Sequence, residues 1–139
     1  AGLATACDLV IAGESSQLGY PEIQRGFVPA MVMTILRRLA GERVALDLVL
    51  TGRVVGAEEA RALGLVSRVV PDARLETESA AVCRALAAGS ASAIAFTKRL
   101  FHQLDGVGFE QGIALGARVN AVARQTPEFR EASEAYERR

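Results

Sequence analysis

Short apolar runs separated by glycine, proline and polar residues divide the first half of the chain into alternating strands and helices. The run at residues 9–12 is closed by a glycine and predicts a buried strand, and residues 17–19 predict a second, shorter one. Apolar residues at helical spacing predict helices over residues 29–41 and 42–50, with Gly41 as the stop between them.

The pattern then becomes almost entirely helical. Residues 57–64 predict a short helix with an acidic first turn, and the alternation over residues 65–71 predicts a strand that ends at a Pro-Asp turn. From Leu75 onward the spacing is helical, and glycine, serine or proline breaks separate helices at residues 75–87, 93–104, 109–124 and 127–138. The sequence therefore predicts an α/β part over residues 1–73 and a helical region over residues 74–139.

Composition and charge exclude several classes of protein. Half of the 139 residues are hydrophobic, which excludes disorder, but only 5% are aromatic, so the core must be mainly aliphatic. The 16 basic residues balance the 16 acidic ones, so no overall charge attracts nucleic acid or anionic lipid, and no apolar stretch reaches membrane-spanning length. Cys7 and Cys83 lack the spacing of a metal or redox motif. We expect both to be buried thiols in a cytoplasmic protein.

Two candidate motifs have simpler explanations. Residues 106–112 contain three glycines, but the third is one residue late for a dinucleotide fingerprint and a helix precedes it, which favours a turn between helices. His102 is the single histidine and has no acidic or cysteine partner at ligand spacing, so a helix-surface imidazole is favoured. No phosphate-binding loop, nucleophile elbow or metal-ligand cluster occurs in the sequence.

Glu22 is the strongest candidate for chemistry. It lies between Pro21 and Ile23, with further apolar residues nearby. Apolar surroundings favour the protonated form of a carboxylic acid and allow it to transfer protons near neutral pH. The alternative is an exposed acid in the first turn of a helix, where it would stabilise the helix dipole. The residues alone leave both interpretations open.

Six short stretches occur in a fixed order over nearly the whole chain: residues 3–12 (LAxxCDxVIA), 18–29 (LGYPEIxxGFVP), 50–53 (LTGR), 57–66 (AxxAxxxGLV), 69–71 (VVP) and 130–138 (RExxxAYER). Together they resemble the enoyl-CoA hydratase/isomerase (crotonase) superfamily. The resemblance implies an α/β fold, made of the later turns of a crotonase-like ββα spiral followed by a C-terminal α-helical trimerisation region. It starts at the helix after the family's glycine turn. We therefore expect this chain to be the second part of a larger domain, with the oxyanion-hole peptide donors upstream of Ala1.

The resemblance also implies a catalytic role for Glu22, whose segment matches that of the family's catalytic carboxylate. Many hydratases carry a second glutamate at the position that falls on Gly2, so here that carboxylate is absent. The first hypothesis is hydration of a 2-enoyl-CoA thioester by Glu22. The alternatives are Δ3-Δ2-enoyl-CoA isomerisation by this single carboxylate, and a non-catalytic interaction protein or inactive fragment of the same fold.

Substrate and partner residues follow from the same resemblance. Tyr20, Phe27, Pro29 and Met31 would line the substrate pocket, and residues 30–33 (AMVM) replace a glycine-rich turn, which favours a short or branched acyl group. Arg138 and Arg139 would reach the CoA of a neighbouring subunit. We expect a homotrimer or a dimer of trimers acting on acyl-CoA in the cytoplasm. No metal is expected, no cofactor apart from the CoA of the substrate, and no nucleic-acid or membrane partner.

Overall fold

Helices and strands alternate in the first part of the chain, and helices alone form the rest. The computed structural model describes residues 1–137, with side chains to residue 136. The first elements are α1 (Gly2–Thr5), β1 (Ile11–Gly13), β2 (Gln17–Gly19), a 3-10 helix (Pro21–Arg25), α2 (Ala30–Thr51), β3 (Val54–Gly56), α3 (Ala57–Ala62) and β4 (Arg68–Val70). A 3-10 turn (Asp72–Arg74) is then followed by α4 (Leu75–Ala87), α5 (Ala91–Gln103), α6 (Phe109–Ala123) and α7 (Pro127–Glu137). This order confirms the predicted mixed α/β class.

The four strands form two separate pairs. β1 runs parallel to β4, with Ala12 opposite Val69, and β2 runs antiparallel to β3, with Leu18 opposite Val55. The predicted strand at residues 9–12 starts two residues too early, because the backbone N–H of Val10 donates to the Ser67 side chain, 3.1 Å away, before the ladder begins. The predicted strand at residues 65–71 is likewise too long. The sequence analysis missed β3, which has only three residues.

Gly41 interrupts α2 and confirms the stop predicted there. Its backbone has φ 78° and ψ 167°, far from the helical region. That conformation is essentially restricted to glycine. A Cβ added to Gly41 would meet no atom within 4 Å, so the position requires glycine for its backbone angles and not for space. An ion pair between Arg37 and Glu42 spans the break.

The hydrophobic core lies in the first of two compact units. This unit is Ala1–Ala81, and the second begins at Val82, inside α4. The sequence-based boundary was placed earlier, after residue 73. Tyr20, Leu36, Leu48 and Val55 are the largest fully buried side chains of the core. Its other buried apolar residues are Ala12, Leu18, Val32, Ala45, Val49, Ala57, Ala60, Leu65 and Val66.

The second unit has no closed core in the part that the structure describes. α5 packs against α6 within it, yet none of residues 82–136 is buried. Large apolar side chains remain exposed along its helices: Leu86, Phe101, Leu104, Phe109, Ile113, Val122, Phe129 and Tyr136. Exposed apolar surface on this scale is typical of an interaction surface.

Both cysteines are exposed free thiols, so the prediction that they are buried is wrong. Cys7 follows the end of α1, where its Sγ lies 3.5 Å from the carbonyl oxygen of Leu3. Cys83 lies on α4, a helix with no buried residue. The apolar neighbours of the two cysteines in the sequence did not indicate whether each thiol would face the core or the solvent.

Within the described residues, no single helix has both the length and the apolar character needed to cross a bilayer. The segments Asp72–Ala87 and Ala91–Gln103 meet those criteria only when they are counted together. In the same part of the chain, no three His, Cys, Asp or Glu side chains converge as metal ligands would.

Candidate functional site

A short 3-10 helix positions Glu22, and local sequence explains why it forms. Pro21 occupies the first position of the helix, where its fixed φ fits and its missing N–H costs nothing. Gly26 ends the helix with a left-handed φ of 74°. The N–H of Phe27 then donates to the carbonyl oxygen of Glu22 at 3.0 Å. The Pro-Glu-x-x-x-Gly segment therefore fixes Glu22 in the first turn.

The carboxylate of Glu22 has one shielded oxygen without a hydrogen-bond partner. The side chain as a whole is half-buried. Its Oε2 is inaccessible to solvent and has no hydrogen-bond partner among the residues that the structure describes. Buried carboxylate oxygens are normally hydrogen-bonded, and an unpartnered one is costly to the fold. The lone pairs of this oxygen are not used by any described residue, which makes Glu22 the carboxylate to examine for a chemical role.

Tyr20 lies in the core directly before this helix. Its side chain is fully buried, and its hydroxyl lies 2.6 Å from Oγ1 of Thr5. Burial raises the pKa of the Tyr20 hydroxyl above 10.0, the Thr5 hydrogen bond lowers it, and the negative charge of Glu22 raises it further. Tyr20 is therefore a neutral, buried residue that fixes the backbone two residues before Glu22.

The other predicted pocket residues differ in exposure. Pro29 is buried, whereas Phe27 is 66% exposed and Met31 is 87% exposed. Leu3, Ile23 and Val28 are exposed as well. These side chains lie on or beside α1, the 3-10 helix and the start of α2, and both α1 and the 3-10 helix pack against α2. We call Leu3, Ile23, Phe27, Val28 and Met31 the apolar surface.

Gly2 is the first residue of α1, and it has room for a Cβ atom. A Cβ built there would lie 3.8 Å from Cγ2 of Val32, an ordinary van der Waals contact. Its φ is not in the left-handed region. Neither the backbone conformation nor the space around a Cβ therefore requires glycine at this position.

The remaining candidate residues belong to the second unit or lie outside the described residues. Arg138 and Arg139, expected to contact CoA, lie outside the described residues. His102 is exposed on α5 with its ring against the edge of Phe101. Of the predicted turn at residues 106–112, residues 106–108 lie between α5 and α6 as expected, whereas residues 109–112 belong to the first turn of α6.

Sequence reasoning missed Thr5, which is 3% exposed. Its Oγ1 lies 3.0 Å from the carbonyl oxygen of Ala1 and contacts the Tyr20 hydroxyl. The signal was a lone hydroxyl in the apolar run of residues 3–6, since a buried polar side chain needs a partner.

Comparisons with known proteins identify the family of this chain. The family model described as enoyl-CoA hydratase/isomerase matches residues 1–139. A Thermus thermophilus protein named "Putative enoyl-CoA hydratase" is 45% identical over 136 residues, 98% of this chain and 54% of that protein. The chain spans about half the length of the curated relatives it matches.

Solved structures show the same fold. The crystal structure of an enoyl-CoA hydratase of Mycobacterium smegmatis matches with a TM-score of 0.92 at 28% identity, covering 99% of this chain and 53% of that one. Human enoyl-CoA hydratase domain-containing protein 3 also matches with a TM-score of 0.92, at 25% identity, covering 99% of this chain and 54% of that one. By sequence and fold, the chain belongs to the enoyl-CoA hydratase/isomerase family.

Proposed function

We propose that the whole protein is an enoyl-CoA hydratase that adds water across the 2,3 double bond of a 2-enoyl-CoA thioester, with Glu22 as its acid and base. The observation that carries this proposal is the shielded, unpartnered Oε2 of Glu22 in a fixed 3-10 helix. The family match and the names of its relatives support the same reaction type.

A single carboxylate can balance this reaction. Glu22 takes a proton from water as the water oxygen forms its bond to C3, and the electrons of the double bond move toward the thioester carbonyl. The protonated Glu22 then returns a proton to C2. The unpartnered Oε2 suits the task, because no hydrogen bond within the described residues has to break before it takes the proton.

The apolar surface beside Glu22 supports an acyl substrate. Phe27 is 66% exposed beside the 3-10 helix, and Met31 is 87% exposed at the start of α2. Large side chains there leave less room than a glycine-rich turn would, so the proposed acyl group is short or branched. Binding of the CoA part by Arg138 and Arg139 of a neighbouring subunit, within a homotrimer or a dimer of trimers, belongs to the same proposal.

A second candidate is isomerisation of a 3-enoyl-CoA, and Gly2 is the observation that favours it. Without a carboxylate at Gly2, Glu22 acts with no second acid from that position. It would remove a proton from C2 of the 3-enoyl thioester and return it to C4, moving the double bond into conjugation. No water is added in that reaction.

The test presents the whole protein with a 2-enoyl-CoA and a 3-enoyl-CoA in separate assays and identifies the products. Formation of 3-hydroxyacyl-CoA from the 2-enoyl thioester is expected. Turnover of the 3-enoyl thioester without any 3-hydroxyacyl product would replace hydration with isomerisation. Turnover of neither substrate would favour the non-catalytic alternative.

A further inference from the structure

Two buried hydroxyl groups connect α1 to the segment that carries Glu22. The Tyr20 hydroxyl and Thr5 Oγ1 are 2.6 Å apart, and both side chains are buried. Thr5 Oγ1 also lies 3.0 Å from the carbonyl oxygen of Ala1, to which it can donate. Either hydroxyl can be the donor in the bond between Tyr20 and Thr5. The two hydroxyls and the carbonyl oxygen of Ala1 thus form one connected group between Tyr20 and the backbone at the start of α1.

Few freely rotating backbone angles separate the buried ring of Tyr20 from Glu22. The residue between them is Pro21, whose ring fixes φ, and Tyr20 has the extended φ of −128° that a following proline favours. On the far side, Nε2 of Gln24 donates to the carbonyl oxygen of Gly52 at 3.4 Å. The 3-10 helix is thus held from both sides, and the stronger tie is the shorter Tyr20 bond.

The hydroxyl pair joins α1 to the Glu22 segment directly, whereas α1 and the 3-10 helix each also pack against α2. α1 is four residues long, and its N-cap residue Ala1 makes no side-chain capping hydrogen bond. Leu3 points outward at 85% exposure, which leaves Thr5 as the buried side chain of this helix. Loss of the hydroxyl pair removes the direct side-chain hydrogen bond between α1 and the residue before the 3-10 helix.

We propose that Thr5 and Tyr20 are positioning residues, whose buried hydrogen bond holds the Glu22 segment at a fixed distance from α1. The inference rests on the proposed function, because it assigns the pair an effect on proton transfer by Glu22. Misplacement of a reacting group by about 1 Å can lower the rate by about 10². Loss of the pair should therefore lower kcat and leave substrate binding nearly unchanged.

Thr5→Val in the whole protein tests the proposal with little change of shape. The carbonyl oxygen of Ala1 keeps its hydrogen bond from the backbone N–H of Thr5 at 2.9 Å, so the Tyr20 hydroxyl is the group left unpaired. We expect kcat to fall about tenfold or more, with KM within about twofold of the parent. Thr5→Ser keeps a hydroxyl and should retain kcat within about twofold.

Two further variants separate positioning from general loss of stability. Tyr20→Phe removes the phenol hydroxyl and leaves Thr5 bonded to Ala1, so it should lower kcat with a smaller loss of stability than Thr5→Val. Thr34→Val removes an exposed hydroxyl that bonds one turn back on α2, and it should leave kcat unchanged. All variants are assayed well below their unfolding midpoints.

The outcomes are distinct. A kcat within twofold of the parent in Thr5→Val, or an equal loss in Thr5→Ser, overturns this inference. If Thr5→Val does not fold, kcat of Tyr20→Phe decides by the same criterion. A parent protein without activity on either thioester overturns the proposed function and this inference with it, whereas an active parent with insensitive variants overturns this inference alone.

Discussion

Glu22→Gln is the sharpest test of the site, because the structure predicts opposite effects on activity and stability. Glutamine has nearly the same shape as glutamate but cannot exchange protons at neutral pH. The oxygen it replaces, Oε2, has no hydrogen-bond partner among the described residues, so the substitution breaks no bond of that oxygen. The side chain is half-buried, and the similar shape of glutamine keeps the steric change small.

The magnitudes follow from these two facts. A positioned general acid-base group contributes about 10²–10⁴ to the rate, so kcat should fall by that factor, equivalent to about 2.7–5.4 kcal/mol. The free energy of unfolding should change by less than about 1 kcal/mol. Any change should be stabilising, because an unpaired amide costs less to bury than an unpaired carboxylate.

Both quantities can be measured on one preparation of the whole protein. Hydration is followed by the loss of absorbance of the conjugated enoyl thioester, and stability by urea denaturation. Glu14→Gln serves as the matched control, since Glu14 is exposed in the turn after β1. It should leave both activity and stability unchanged.

Two results would refute the reasoning. Activity within about threefold of the parent would mean that Glu22 is not the group that transfers the proton. A loss of more than about 2 kcal/mol of stability would mean that the carboxylate makes a structural bond, contrary to its unpartnered Oε2.

Four other predictions address the core, the buried tyrosine, the missing carboxylate and assembly. Leu36→Ala, at a fully buried site, should cost about 2–5 kcal/mol in urea denaturation, whereas Leu39→Ala, at a 44% exposed site, should cost less than about 1 kcal/mol. Burial raises the pKa of Tyr20 in the folded state, so its contribution to stability is complete below pH 10.0 and is lost as the pH rises further. Tyr20→Phe should therefore make the urea midpoint fall less steeply above pH 10.0. An unchanged slope would contradict this. Gly2→Glu should raise the ratio of hydration to isomerisation in product analysis, whereas Gly2→Gln should not. Sedimentation of the whole protein at micromolar concentration should show trimers or hexamers, and a monomer alone would contradict the proposed assembly.

Locally determined features could be predicted from sequence. The stop at Gly41 follows from a conformation that only glycine readily adopts. The placement of Glu22 follows from Pro21 and Gly26, which start and end its turn whatever lies around it. Each of these signals is contained within a few residues, so no knowledge of the fold was needed.

Features set by distant contacts could not be predicted. β3 is a strand because it pairs with β2, a contact between segments more than thirty residues apart that the residues of β3 do not indicate. The exposure of Cys7 depends on how α1, which ends two residues before it, packs against the core. The partner of Tyr20 is fifteen residues earlier in the chain, and no pattern in sequence connects the two hydroxyls.

The position of Tyr20 also explains how the fold tolerates Glu22. A buried oxygen without a partner costs about 1–3 kcal/mol, and the 3-10 helix that carries it has no buried residue of its own. The side chain of Tyr20, fully buried directly before that helix, removes about 150–250 Å² from water, worth about 4–6 kcal/mol as an upper bound. That gain is larger than the cost two residues away. The segment can therefore hold an unpartnered carboxylate oxygen in place only while the Tyr20 side chain remains in the core. Substitutions that remove the ring of Tyr20, such as Tyr20→Ala, should abolish folding of the segment and activity together.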